Sequence, residues 1–252
     1  MRTVSTADLD VRRDVYLAAA LDTFSIGRLA GLPNLTGARC LDLGPAGSAV
    51  PVWLRDRVGA HGEVVTAPGD PLPPTVLTSG RYRLIRARLV LMRVPHPEAL
   101  LRRLVAALGP DGTLVVEDWH LWPEDAVLCA PSPRDADLIS RCIRMLVTDI
   151  LPGHGYDPKW ATRAHAAARA ARLTTVDTQI HLPVWPAGEP GALLLAVDLI
   201  RYRRRLLAAG VTPAELDRGR QLVTDPGSGL VLRGHPLYST SGLALEDSFQ
   251  MI

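Results

Sequence analysis

Hydrophobic positions along this chain switch repeatedly between a strand period and a helix period, the pattern of parallel strands covered by helices. From Val11 to Leu32 apolar residues fall at helical spacing (Val15, Leu17, Ala18, Leu21, Phe24, Leu29), and Gly31-Leu32-Pro33-Asn34 breaks the run. Arg39–Leu43 reads as a buried strand, Gly44–Ser48 as a turn, Pro51–Val58 as a helix and Glu63–Ala67 as a second short strand. Pro68, Pro71, Pro73 and Pro74 then crowd the stretch from Pro68 to Gly80, a density that predicts neither helix nor strand. Tyr82–Met92 reads as a third strand running into a loop. Pro97 opens a helix with the apolar stripe Leu100, Leu101, Leu104, Val105 and Leu108. Gly109-Pro110-Asp111-Gly112 is expected to end it before a fourth strand, Thr113–Glu117, which completes a β-α-β unit.

The second half reads as more helical. Helices are expected over Asp135–Leu151, from a capping Asp157-Pro158 to Arg172, and over Gly191–Ala209, with Leu173–Val184 alternating as a strand. Thr212-Pro213-Ala214-Glu215 has the spacing of a capping box, and Gly229–Leu245 supplies a last strand or hairpin. No repeat or flexible linker interrupts the chain. One domain is therefore expected over 1–252, with a helical cap (1–36), a cofactor-binding half (37–120) and a substrate-side half (121–252).

Composition narrows the function classes. With 252 residues, 47% of them apolar, the chain can bury a full core. Its net charge is only +2, and 28 basic residues are dispersed among 26 acidic ones, so no nucleic-acid stripe is expected. Cys40, Cys129 and Cys142 lack the spacing of a metal or disulfide site and fit a reducing compartment. Arg2, Asp8 and Asp10 stand where a signal peptide needs an apolar run, and no long uncharged apolar stretch follows. The expectation is a cytoplasmic protein with no metal, no membrane and no nucleic-acid partner.

The stretch ARCLDLGPAGSAVPVWLRDRVGAHGEVV resembles the first motif of actinobacterial class I S-adenosylmethionine-dependent methyltransferases: a strand ending in Asp, a Gly-rich turn, then a helix. YRLIRARLVLMRVPHPEALLRRLVAALGPDGTLVVEDWH is similar to the same family's fourth strand, helix and fifth strand, and DPKWATRAHAAARAARL and GVTPAELDRGRQLVTDP resemble its C-terminal half. The resemblance implies an α/β, Rossmann-like class I methyltransferase fold. It also implies donor contacts at Asp42, Gly44 and Gly47, if the donor is retained.

Four departures from the family pattern fall on the donor site. Ala46 and Ser48 replace two of three alternating glycines, and Pro68 stands where the family has a ribose-binding acid, with Asp70 two residues late. The family's third strand, with its preceding helix and adenine-proximal acid, is missing from the shortened crossover. Its Phe-Asp is Tyr82-Arg83, and its following His is Arg86.

In open α/β sheets ligands bind beyond the carboxyl ends of strands. That rule selects Arg93 and His96 after the third strand of this chain, and Glu117, Asp118, Trp119 and His120 after the fourth. His120 is a candidate general base, against the alternative of a water-exposed loop histidine. Gly153-His154-Gly155-Tyr156-Asp157 is a candidate lid bearing His154 and Tyr156, against a plain turn in which Asp157 caps. Trp119, Trp122, Trp160 and Trp185 are candidates for an apolar substrate pocket, about half of them serving only to pack. The basic run Arg201, Arg203, Arg204 and Arg205 reads as a solvated face.

The leading functional reading is a methyltransferase-like enzyme of bacterial specialised (natural-product, antibiotic) metabolism that needs no cofactor and cyclises or rearranges a largely apolar small molecule. The alternatives are an active S-adenosylmethionine-dependent methyltransferase, with His120 or Glu117 as base, and a non-catalytic stabilising or regulatory partner. Loss of the third strand would leave a sheet edge through which an oligomer could form.

Overall fold

A computed structural model describes residues 5–68, 72–78 and 81–244. Arg2, Asp70, Pro71, Gly80 and Leu245, all named above, lie outside these residues. The first helix, α1 (Thr6–Ala30), starts ahead of Val11 because Ser5 caps it: Ser5 Oγ accepts the Asp8 N–H at 3.1 Å and the Asp8 carboxylate reaches back. Next come β1 (Arg39–Leu43), α2 (Val50–Val58), β2 (Glu63–Ala67), α3 (Pro74–Thr78), β3 (Tyr82–Arg88), α4 (Pro97–Ala106) and β4 (Leu108–Trp119). They are followed by β5 (Val127–Cys129), α5 (Pro133–Met145), α6 (Trp160–Ala170), β6 (Thr174–His181), β7 (Val184–Pro186), α7 (Pro190–Arg201), α8 (Arg203–Ala208), α9 (Pro213–Thr224), β8 (Val231–Arg233) and β9 (Leu237–Leu243).

The main sheet runs β2-β1-β3-β4-β9-β6. β1 to β4 are parallel, β9 is antiparallel to β4 and β6 is antiparallel to β9. Among the described residues no strand lies outside β2, as the shortened crossover predicts. Glu63–Ala67 is correspondingly half-covered, whereas β1 is buried from Cys40 onward. A smaller sheet, β5-β8-β7, stands apart.

Several boundaries differ from the sequence reading. The proline-rich crossover holds a short helix after all, α3, because prolines are tolerated in a helix's first turn, and Tyr82 Oη donates to the Val76 carbonyl at 2.7 Å to anchor it. Gly109–Gly112 does not end a helix; it lies in β4, which begins at Leu108 with a register shift opposite Tyr82 and Leu84. β3 ends at Arg88, where Leu89 takes a positive φ of 55° and a 3₁₀ turn, Leu91–Arg93, follows. α5 passes into π-helical Leu146–Ile150, and α6 starts at Trp160 with Asp157 accepting the Lys159 N–H ahead of it. The long helix expected over Gly191–Ala209 breaks at Tyr202. The segments Leu173–Val184 and Gly229–Leu245 each divide between the two sheets, so the second is not a hairpin.

Period-2 alternation assigns the two faces of the main sheet. Leu41, Leu43, Ile85, Leu114 and Val116 belong to the larger apolar core, while Cys40, Leu84 and Val115 pack with Leu29 of α1 and Val50, Leu54 and Val58 of α2. On that second face the next residues toward the carboxyl ends are Asp42, Arg86, Arg88 and Glu117. The apolar layer gives way to an ionic one where the ligand-binding end begins.

Candidate functional site

The ionic layer is built around Arg86, which is fully buried and sits beside Asp42 in the β1–β3 register. Arg86 Nη1 donates to Asp42 Oδ1 at 2.6 Å and Arg86 Nε to Glu117 Oε2 at 2.9 Å. Ser25, one of the apolar-face positions of α1, donates its hydroxyl to Glu117 Oε2 at 2.7 Å and accepts from Arg86 Nη2 at 3.2 Å. Burial alone would push the guanidinium's pKa down, but Glu117 and Asp42 more than offset this and hold it above its ordinary value. Arg88 donates to Asp22 Oδ1 at 2.6 Å; burial and the neighbouring Arg86 lower its pKa.

Asp22 also serves the Gly-rich turn. It accepts the Ser48 hydroxyl at 2.9 Å and the Ala49 N–H at 2.6 Å, so the N-terminus of α2 is capped by the protein's own carboxylate. Gly44 packs closely: a Cβ there would lie 3.1 Å from the Arg88 carbonyl oxygen, tighter than an ordinary contact. Gly47 takes a φ of 77°, open to glycine at no cost.

Above this turn lies an open cleft of about 710 Å³, bounded by Asp42, the Gly44–Ser48 turn, Thr66–Pro68 at the end of β2, and Arg55. Its far wall is the face of α1 that is apolar further along at Leu17 and Leu21 but charged here as Asp10, Arg13 and Asp14. α1 is clamped to α7 by the Arg201–Asp10 pair and by Arg13, whose Nε is 4.0 Å from Asp198 Oδ1.

A second, smaller cavity of about 70 Å³ adjoins the cleft, and Arg13, Leu89, Arg93 and Tyr156 line both. Its walls are mainly apolar, from Met92, Leu121, Ile143, Leu146, Leu194 and Leu232. Trp119 and Trp185 meet edge-on there with centroids 6.4 Å apart. Asp198, His235 and the Trp119 indole line it together with the polar side chains Arg13, Arg93, Tyr156 and Arg233. Asp198 keeps a fifth of its side-chain surface, but that surface opens onto the cavity, and burial raises its pKa. Burial, with Arg233 and His120 adding repulsion, pushes the His235 imidazole down to about 4. An acid whose pKa is raised and a base whose pKa is lowered, both chiefly by burial, thus line one cavity.

The residues selected from sequence separate by position. Tyr156 and Arg93 stand at the junction of cleft and cavity, with the guanidinium 5.5 Å from the phenol ring centroid, and Trp119 lines the cavity. Glu117 is fully buried in the ionic layer. Asp118 accepts Trp160 Nε1–H at 3.0 Å, with its pKa raised well above the carboxylate range by burial; both residues are core. His120, Trp122, His96 and His154 are not among the residues lining either space. His120 stacks on Trp122, which is 40% exposed beneath Arg233, and its pKa is lowered by burial and by Lys159. His96 is exposed ahead of α4, and His154 Nδ1 lies 2.7 Å from the Ile150 carbonyl oxygen with its ring against Tyr202. In the basic run, Arg201 faces the cleft rather than open solvent. Asp198 and His235 escaped the sequence reading; a lone acid in the apolar run of α7 was the available signal for the first.

This sheet order, with a cleft over the ends of its first strands and an apolar cavity beyond, defines a Rossmann-like fold of the class I methyltransferase kind. The chain belongs to the methyltransferase domain family, which matches residues 12–172. A cyclopropane-fatty-acyl-phospholipid synthase-like protein from Lactobacillus casei is similar at 10% identity and a TM-score of 0.49, over 97% of this chain and 96% of that one. The YcgJ protein from Bacillus subtilis is similar at 13% identity and 0.47, over 89% and 99%. A phosphoethanolamine N-methyltransferase 2 from Haemonchus contortus, solved with phosphomonomethylethanolamine and S-adenosylhomocysteine, is similar at 10% and 0.47; 97% of this chain covers 59% of that enzyme. No curated protein matches the chain.

The family's donor, S-adenosylmethionine, meets a mismatched site. Space exists beside the turn at Gly44 and Gly47, but the acid that accepts from ribose hydroxyls at the end of β2 has no counterpart among the described residues, where the cleft presents the Thr66 hydroxyl, Ala67 and Pro68. Among the described residues no strand or carboxylate follows to wall the adenine side. Asp42, at the tip of β1, is already engaged by Arg86. Among the described residues the adenosyl half of the donor thus finds no carboxylate at the end of β2.

Proposed function

We propose that this methyltransferase-domain protein is an enzyme that rearranges or cyclises an elongated small molecule without using S-adenosylmethionine. The observation that carries this reading is the pairing of a cleft with no carboxylate at the end of β2, among the described residues, and an adjoining mainly apolar cavity lined by an acid and a base. At about 70 Å³ the cavity admits only the apolar end of a ligand, and the rest lies in the cleft of about 710 Å³. His235 takes a proton from a substrate O–H or acidic C–H, and the Asp198 carboxyl gives one to the atom that gains electron density. The product is an isomer of the substrate, and proton exchange through the cleft resets the two side chains. A role in specialised metabolism and a cytoplasmic location belong to the same proposal; among the described residues no helix is long and apolar enough to cross a membrane.

The test is a thermal-shift titration with 1 mM S-adenosylmethionine. A micromolar site would add about 4 kcal/mol and raise Tm by roughly 8–16 °C in a chain of this size. A shift within about 1 °C is expected, and a rise of several degrees would refute donor independence. The open volume of the cleft and its continuity with the cavity favour one second reading, a methyltransferase whose donor adopts another pose, and the same titration separates the two.

A further inference from the structure

The mainly apolar cavity contains two buried polar atoms with no partner, Trp119 Nε1 and His235 Nδ1. Buried donors and acceptors are almost always satisfied, and each left bare costs about 1–3 kcal/mol. Their rings are neighbours, tilted by 59° with centroids 5.8 Å apart. The indole N–H can only donate. Burial holds the His235 imidazole neutral, and a proton on Nε2, the tautomer that the neighbouring Trp122 carbonyl favours, leaves Nδ1 an acceptor. One donor and one acceptor side by side are the complement of a single hydroxyl, which accepts from the indole and donates to the imidazole.

We infer that the cavity recognises the hydroxyl of an alcohol, phenol or enol at the apolar end of the substrate, held between Trp119 Nε1 and His235 Nδ1. A ketone would satisfy the indole and leave Nδ1 bare; an amine would satisfy Nδ1 and leave the indole bare. The inference rests on the cavity being the substrate site proposed above, and it adds the functional group bound there. It places the proton to be removed on oxygen, directly against His235.

Two probes of nearly equal shape, p-cresol and toluene, test it. The readout is the ¹⁵N–¹H cross-peak of the Trp119 indole, assigned by its loss in Trp119→Phe, together with calorimetric affinities. p-Cresol is expected to bind about tenfold or more tightly than toluene and to shift the indole proton downfield. His235→Phe should reduce the two affinities to within about twofold of each other. Equal affinities in the unaltered protein, binding of neither probe, or an unmoved indole peak would overturn the inference. Binding of S-adenosylmethionine would refute donor independence and leave the probe preference intact, so the two failures are distinct.

Discussion

Replacing Arg86 with methionine removes the cation hydrogen-bonded to both Asp42 and Glu117. Arg86, Asp42 and Glu117 retain 1%, 6% and 0% of their side-chain surface, and the two ion-pair contacts are 2.6 and 2.9 Å. Stripping one partner from such a group strands the others in a poorly solvated layer, at a cost of about 3–5 kcal/mol. Ser25 and Ser239 supply hydrogen bonds to Glu117 but no charge. Against a total stability of about 5–15 kcal/mol this is severe. Equilibrium urea unfolding at pH 7, followed by circular dichroism, should show the midpoint falling by about 1–2 M at an m-value near the top of the range for domains, roughly 3 kcal/mol/M. Combining Arg86→Met with Asp42→Asn and Glu117→Gln should recover more than half of the loss, because amides replace stranded charges. A loss below about 1 kcal/mol in the single variant, or no recovery in the triple, would refute the electrostatic account of this layer.

His235 should make stability depend on pH. Its imidazole is held at about 4 against an ordinary 6.5, so the unfolded chain takes up a proton that the folded one refuses. The stabilisation is complete above pH 6.5 and is lost as pH falls toward 4, to a total of about 3 kcal/mol. His235→Phe lacks this slope, so its stability difference from the unaltered protein should move in the variant's favour between pH 7.5 and 4.5; parallel urea curves would sink the prediction. Gly191→Ala sets a methyl group into the Trp185 ring, which forms the cavity wall. It should cost about 1–3 kcal/mol and alter tryptophan emission, and unchanged emission with unchanged stability would mean that Trp185 does not pack there.

The succession of strands and helices through the first half was legible because buried strands and amphipathic helices carry different periods, and the shortened crossover because the residues of a further strand are missing from it. Boundaries set by backbone geometry were less legible. Glycine and proline at 109–112 read as a helix stop, yet they admit a strand entering through an irregularity opposite Tyr82. The prolines at 73 and 74 break a helix only when they stand in its interior. The ionic layer did have a local signature, Leu84, Arg86 and Arg88 at period 2 within a buried strand, but its carboxylates come from β1, β4 and α1. No local pattern announces which distant acid meets which arginine. His235 was hidden for the same reason: a histidine between Gly234 and Pro236 looks like turn material until Trp119, more than a hundred positions earlier, is folded against it.

β2 has β1 on one side and, among the described residues, no strand on the other. An added segment can therefore join an unused hydrogen-bonding border without displacing packed side chains. A helix and strand grafted into the 68–81 connection, with an aspartate in place of Pro68, would add to the cleft the wall and the carboxylate of the family pattern. Donor use in this scaffold would then be a property of one interchangeable peripheral insert, gained or lost while the protein beneath keeps its shape.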